Sequence, residues 1–481
     1  MATPITQAQY NTAKQPIRNI HIRVELLDFK YRVISSFEGN VIEGSLSSDS
    51  TSDVRNYCDI TMVVTDRSFN VAVESKIWLD RLIKIYVGVD DMRNRETAWT
   101  NKGIYLINQP SYQYDAETNT LSFSGVDLMA KMTGLRGGYL KYAYKVPQGS
   151  SVRDVMRAVL SENGFDRYVI NDCVNVDGTV QNVPYDMEFD IGSTWYNILS
   201  ALVDILPNYQ IYFDVDGVFH YEPVPYRANE PIRMTQDIWK DNVISESVDY
   251  DFEAVKNSIK VLGAIHDTEY YSIADYWSLS GGYAVAELNI PQVTEYADNM
   301  MIGFSTMDAQ WPQNRPPYKF GVNNLTAVPL VDADGNEYNK SFELGTYYVM
   351  MYQAAKNNWL FIGRLQAEGE YKDTNPDSPF YIGNPAGEIP IVLYGGDYEN
   401  IQTDDLAYQR AKWEIYRQCR LNDTIQLTTI PIYWAEVNWM VTYTPLGSDT
   451  EQQYLIKSIS TSLEPDGEQT YELVKYYPYY E

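Results

Sequence analysis

The chain has 481 residues, enough for about three domains at ~150 residues each. Lys and Arg total 37 against 65 Asp and Glu, a net charge of −28, which excludes a nucleic-acid binder held by phosphate contacts. Three widely spaced cysteines, Cys58, Cys173 and Cys419, exclude a disulfide framework and a paired CxxC zinc ribbon, and no apolar run approaches the ~20 residues of a membrane span.

The first sixteen residues, MATPITQAQYNTAKQP, lack a basic start followed by an apolar stretch, so no signal peptide is expected. The acidity reads either as solubility or as a surface that repels a polyanion. The 42 tyrosines and 10 tryptophans read as aromatic-rich sheets and their contacts, or as a carbohydrate-binding surface.

Residues 17–130 read as strands. IRNIHIRVELLDF (17–29) alternates through Ile20, Ile22 and Val24, and SLSSDSTSDVRNY (45–57) reads as a polar loop bracketed by strands. Residues 103–126, GIYLINQPSYQYDAETNTLSFSGV, run from a Tyr-Leu-Ile strand through a turn at Asp115 to Asn119 into a second alternating strand. An apolar strand, IKIYVGV (83–89), precedes it, and DLMAKMTG (127–134) reads as a short helix.

Residues 150–164 put Val152, Val155, Met156, Val159 and Leu160 on one helical face, with Ser151 as N-cap and Gly164 as stop. Residues 193–207 repeat that spacing with Trp195, Ile198, Leu199, Leu202, Val203 and Leu206. YQIYFDVDGVFHYEPV (209–224) reads as a hairpin around Asp216-Gly217. These parts make a compact α+β unit.

Strand character returns over 243–265, and 266–388 reads as a β-rich insertion without a strong helix. A helix follows at 403–419, with Asp404 and Asp405 in its first turn and Arg417 and Arg420 near its end, as the helix dipole favours. The chain closes on strands, including NWMVTYTPL (438–446) and QYLIKSISTSLEPDGEQTYELVKY (453–476). That last segment repeats the Tyr-Leu-Ile hairpin, with a turn at Pro465-Asp466-Gly467. Two copies are too few for a solenoid and suggest one β-module used twice.

Catalytic signals are absent. His21 and His220 sit inside strand patterns and His266 follows one, and none lies in a GxSxG or HExxH pattern. Asp332, Asp334, Asn336 and Glu343 occupy calcium-loop positions, but Glu337 stands where the loop needs glycine, and a hairpin turn at Asp334-Gly335 explains the segment. Paired acids for glycoside hydrolysis cannot be singled out among so many carboxylates. No catalytic, cofactor-binding or metal-binding residue is expected.

The order of parts is specific. A β-module is followed by an α+β unit ending in IYFDVDGVFHYEP, then EAVKNSIKV (253–261), an insertion, a helix with Tyr408-Gln409-Arg410-Ala411, DTIQLTTIPI and the closing YLIKSIS…EQTYELVKY hairpin. This resembles the baseplate hub or tail hub proteins of tailed bacteriophages and related contractile injection systems. The resemblance implies a mainly β, α+β chain. Residues 1–140 form a first tube-like β-module, 141–232 the α+β domain, 233–265 with 389–481 a second tube-like β-module, and 266–388 the β-rich insertion.

It further implies a non-enzymatic homotrimer, three copies giving six similar positions around the DNA exit channel. Its partners are the tail tube or distal tail ring, the central spike or tail tip, and the tape measure protein. DNA passes without specific binding, and there is no membrane anchor. The expected location is the virion tail, after synthesis and assembly in the host cytoplasm. Two other readings stay open: a tail-associated glycan hydrolase or polysaccharide-binding protein, and a hexameric distal tail adaptor needing one β-module.

Overall fold

The computed structural model describes residues 5–38, 41–63, 72, 76–114, 119–174, 178–206, 208–227, 229–266, 268, 270–305, 317–340, 342–343, 346–464 and 466–478. The turn expected at Asp115 to Asn119 lies outside these residues except for Asn119, and so does Pro465 of the second turn. The fold is mainly β, with 46% strand and 13% helix. It divides into two compact units, Met1–Ala254 with Leu421–Glu481, and Val255–Arg420.

The first unit opens with helix α1 (Gln7–Ala13), which the sequence pattern did not reveal. Thr6 caps it, accepting from the Gln9 backbone while the Gln9 side chain accepts from Thr6 N–H. Seven strands follow: β1 (Ile20–Asp28), β2 (Val33–Glu38), β3 (Val41–Asp49), β4 (Asn56–Val63), β5 (Arg81–Asp91), β6 (Glu96–Tyr114) and β7 (Asn119–Asp127). The Ser/Asp-rich stretch read as a loop over 45–57 is therefore mostly strand, and only residues 50–55 connect β3 to β4. The 127–134 segment is a 3-10 turn, Leu128–Lys131, capped by Asp127.

Next come β8 (Tyr144–Val146), α2 (Val152–Glu162), β9 (Tyr168–Ile170), β10 (Met187–Phe189), α3 (Trp195–Asp204), β11 (Tyr209–Phe213) and β12 (Phe219–Pro223). Ser151 caps α2 and Thr194 caps α3. Their apolar faces, through Met156, Val159, Leu160, Ile198, Leu199 and Leu202, are fully buried against Phe213, Phe219 and Tyr221 of the β11–β12 hairpin. Then β13 (Ile232–Met234), α4 (Gln236–Trp239) and β14 (Val243–Asp251) bring the chain to the second unit.

That unit holds β15 (Ser258–Ile265), β16 (Tyr270–Ser280), β17 (Tyr283–Leu288), β18 (Met301–Ser305), β19 (Tyr318–Val322), β20 (Val328–Val331), β21 (Tyr347–Gln353), β22 (Asn358–Arg364), β23 (Gln366–Lys372), β24 (Pro390–Leu393) and α5 (Asp404–Gln418). Strands β16 to β22 close into a barrel in the order β16-β17-β19-β20-β22-β21-β18, filled by Phe304, Tyr318, Phe320, Phe342 and Trp359. β15 lies between β23 and β24, and α5 packs on them through Ala407, Ala411 and Ile415. Residues 255–265 and 389–420, read from sequence as parts of the second β-module, thus lie in this unit. The helix and β23 approach so closely that a Cβ on Gly369 would sit 2.1 Å from Tyr408 N.

The chain returns to the first unit with β25 (Asn422–Thr429), β26 (Met440–Tyr443), β27 (Gln452–Ser462) and β28 (Gln469–Lys475). They join the early strands in one sheet of order β14-β25-β28-β27-β3-β4-β7-β6-β5-β1-β2, with β26 pairing β27 and β13. Within it one strand order occurs twice, β3-β4-β7-β6-β5 and β14-β25-β28-β27-β26.

The registers also match. Tyr105 and Leu106 oppose Ile83 and Leu82, as Tyr454 and Leu455 oppose Val441 and Met440. Leu46 opposes Cys58 as Val248 opposes Ile425, and each pair of strands is bulged near its start, after Val41 and after Val243. The segments NVIEGSLSSD (40–49) and NVISESVDYD (242–251) are a second repeated phrase. Residues 50–55 link β3 to β4, and the whole second unit stands at the corresponding place between β14 and β25.

Gly369→Ala should lower the stability of the second unit by about 1–3 kcal/mol or more, because α5 must shift away from β23. Denaturant unfolding of the variant beside wild type checks this; equal midpoints contradict the close approach.

Candidate functional site

The three histidines are dispersed. His21 on β1 places Nε2 3.0 Å from Asp90 Oδ1. His220 on β12 is buried, stacks on Tyr212 and places Nε2 3.0 Å from Asp214 Oδ2. Burial lowers the pKa of His266, which follows β15. None adjoins a serine or cysteine nucleophile in the hydrogen bonds of the described residues. In the 332–343 segment, Asp332 Oδ1 accepts from the backbones of Asp334 and Asn336, and Glu343 pairs with Arg364 at 2.8 Å. These are a turn and an ion pair. Among the described residues no group of three or more His, Cys, Asp or Glu could hold a metal ion.

The first unit does contain a polar cavity of about 450 Å³, lined in part by Arg55, Lys102, Tyr212, His220, Glu222 and Glu436. Arg55 and Lys102 have structural occupations. Arg55 lies over the Tyr212 ring at 4.3 Å and donates to Gln210 Oε1 at 2.9 Å. Lys102 donates to the Tyr433 carbonyl at 2.7 Å. Desolvation pulls its ammonium down to about 8 and pushes the Glu436 carboxyl up. Nearby, Lys84 Nζ and Asn101 Nδ2 each bond Asp216 Oδ1 at 2.8 Å, holding the tip of the β11–β12 hairpin. The cluster ties that hairpin to the strands; it presents no nucleophile with its base.

A surface is the better candidate. On β3, β4, β7, β25, β27 and β28 the residues alternate, and Leu46, Cys58, Ile60, Phe123, Ile425, Leu427, Tyr471 and Ile456 face inward. The opposite face carries hydroxyls and amides: Ser45, Ser47, Thr61, Ser122, Ser124, Gln426, Thr428, Ser460 and Thr470. β3, β4, β7 and β25 contain no Lys or Arg. On β27, Lys457 Nζ is neutralised by Glu472 at 2.7 Å, and Lys475 at the end of β28 shares the side of Tyr471 and Leu473 and lies over the Tyr477 ring. The sequence signal for this face was the Ser/Thr content of these strands, which is also the composition of a loop.

Solved structures share this architecture. A 43 kDa tail protein of prophage MuSo2 from Shewanella oneidensis aligns over 94% of this chain and 98% of its own, with TM-score 0.50 and 12% identity. The chain has a tail-protein fold. A tail protein from Neisseria meningitidis MC58 aligns over 95% of this chain and 98% of its own, with TM-score 0.50 and 9% identity. At these identities the likeness is one of fold. Residues 377–480 match a family described as a domain of unknown function, DUF5048. No curated protein matches the chain. In this tail-protein fold the doubled strand order and the hydroxyl face are the features that bear on function.

Because Lys102 is held below its ordinary value, the unfolded chain binds this proton more tightly than the folded one. Stability from this group therefore rises with pH between 8 and 10, by about 1.4 kcal/mol per pH unit. Lys102→Met should remove that rise. Denaturant melts of both proteins at pH 8 and pH 10 check it; identical slopes contradict the buried ammonium.

Proposed function

We propose that this chain is a structural tail hub, a homotrimer joining the tail tube or distal tail ring to a central spike or tail tip around a channel for DNA. One observation carries the proposal: the same five-strand order occurs twice in one chain, and the two sets abut through β27 and β3. Among the described residues the two halves of the same contact stay open, one on β14 and one on the far part of β6, so the contact can continue from copy to copy until it closes. Two sets per copy and three copies give six positions. Three copies suit a junction between a sixfold tube and a threefold tip, and the doubled set favours this over a hexameric adaptor with one set per chain.

The hydroxyl face supports a passage for a polyanion. Affinity for phosphate comes from Lys and Arg, and this face offers Lys457 already paired with Glu472. The net charge of −28 adds long-range repulsion. The tape measure protein is a partner on the same reading, since it shares that channel. The second unit is positioned by this reading as a collar or a contact with neighbouring tail proteins.

Mass photometry of the purified protein across a concentration series should reveal a species of three times the chain mass. A stable hexamer, or single copies throughout, would count against the hub. In the assembled protein, Thr61→Lys with Thr428→Lys and Thr470→Lys should create DNA binding that weakens steeply with salt, where wild type binds none. Unchanged binding in the triple variant would remove this face from the channel wall.

A further inference from the structure

One edge of β27 pairs β28. Its other edge is divided: Gln452–Leu455 pairs β26, and Ser458–Ser462 pairs β3. β6 is built alike. It pairs β7 on one edge, and Glu96–Leu106 pairs β5 on the other. Beyond Leu106, among the described residues, no strand lies on that second edge. β14 matches β3 in the repeat, pairs β25 on one edge and, among the described residues, has no strand on the other. One chain therefore holds one filled joint and the two halves of another.

We infer that Ser111–Gln113 of β6 pairs antiparallel with Ser247–Asp249 of β14 in a second copy of this chain. The inference rests on the ring reading and names the edges that close the ring. Its register follows by substitution. Inside the chain Ser460 opposes Ser47, Thr461 opposes Leu46 and Ser462 opposes Ser45. Aligning the two Tyr-Leu-Ile strands and the two repeated Asn-Val-Ile strands converts these pairs to Ser111 with Asp249, Tyr112 with Val248 and Gln113 with Ser247.

Exposure agrees with this assignment. Thr461 and Leu46 are 2% and 4% exposed under their joint, whereas Tyr112 and Val248 are half-buried. Tyr250 and Phe252, at the end of the open strand, are 59% and 77% exposed. Apolar rings beside an unpaired strand edge mark a docking site. Asp249 would meet Ser111, so no carboxylate opposes another there.

The hydrogen-bond alternation is fixed too. Leu463 N donates to Gly44 O at 2.8 Å and Ser50 N to Lys457 O at 3.0 Å, so Thr461 and Leu46 form a bonded pair. Tyr112 and Val248 take that place, and the Val248 N–H points outward from β25. Pro110 takes the place of Ile459 and has no N–H to give. The joint between copies is thus one ladder bond poorer than the joint within a chain, which suits copies that fold first and assemble afterwards.

Ser111 and Asp249 would form a non-bonded pair, whose Cα separation of about 4.5 Å suits a disulfide. Cys58, Cys173 and Cys419 are buried and can stay. The Ser111→Cys, Asp249→Cys protein, oxidised after assembly, should run on a non-reducing gel as a covalent three-copy species. The Ser111→Cys, Ser247→Cys protein, shifted by two residues, should stay unlinked. Val248→Pro removes the outward N–H without touching the β25 ladder and should leave single copies by mass photometry. Trimers that form without the Ser111–Asp249 link overturn the inference and leave the ring reading intact, and so do trimers that survive Val248→Pro. Wild-type protein that never assembles overturns both.

Discussion

The pairing of β27 with β3 is the constraint on which the first unit depends. It joins Ser458–Ser462 to Ser45–Asp49, and the neighbouring Ser50 Oγ donates to Lys457 O across 407 residues of chain. The joint is more than a backbone ladder. Leu463, just past β27, is buried in the core of the early strands with Leu46, Ile60 and Phe123. Two half-sheets thus share side chains as well as hydrogen bonds. The entropic cost of closing so long a loop grows only logarithmically with its length, but contacts so distant in sequence form late. The α+β segment, with its local helices and hairpin, has no such delay.

The doubled strand order gives that joint its larger meaning. A sheet made of two similar sets presents the two halves of the same kind of junction again, on β14 and on the far part of β6. The second unit does not disturb the repeat, because it leaves from the connection between β14 and β25, where the first set has residues 50–55. The edges of β14 and of the far part of β6 that are unpaired among the described residues would be a liability in an isolated chain and an asset in a ring. The proposed hub is the arrangement in which both edges are used.

Much of the local structure was legible in the sequence. Helix α2 carries its expected cap at Ser151, α3 its expected apolar spacing and α5 its acidic first turn, and the β11–β12 hairpin carries Asp216-Gly217. The two Tyr-Leu-Ile hairpins stand out because both bury Tyr105 or Tyr454 at equivalent registers. β3 was hidden, since serines and aspartates form a strand only when neighbours on both sides supply the pairing. The boundary of the second set was hidden for a related reason. β15 and α5 carry ordinary strand and helix patterns, and only their packing, through Gly369 and Ala407, places them with the second unit. The hydroxyl face was legible as composition and illegible as a surface, because period-two alternation acquires a direction only once the core side is known.

Electron cryomicroscopy of the assembled protein would show directly whether the copies join edge to edge around a pore. Three copies around a pore are expected, with the sheet running unbroken from β6 of one copy into β14 of the next and the Thr61, Thr428 and Thr470 face turned inward. A closed particle in which β14 remains a free edge, or in which that face points away from the pore, would contradict it.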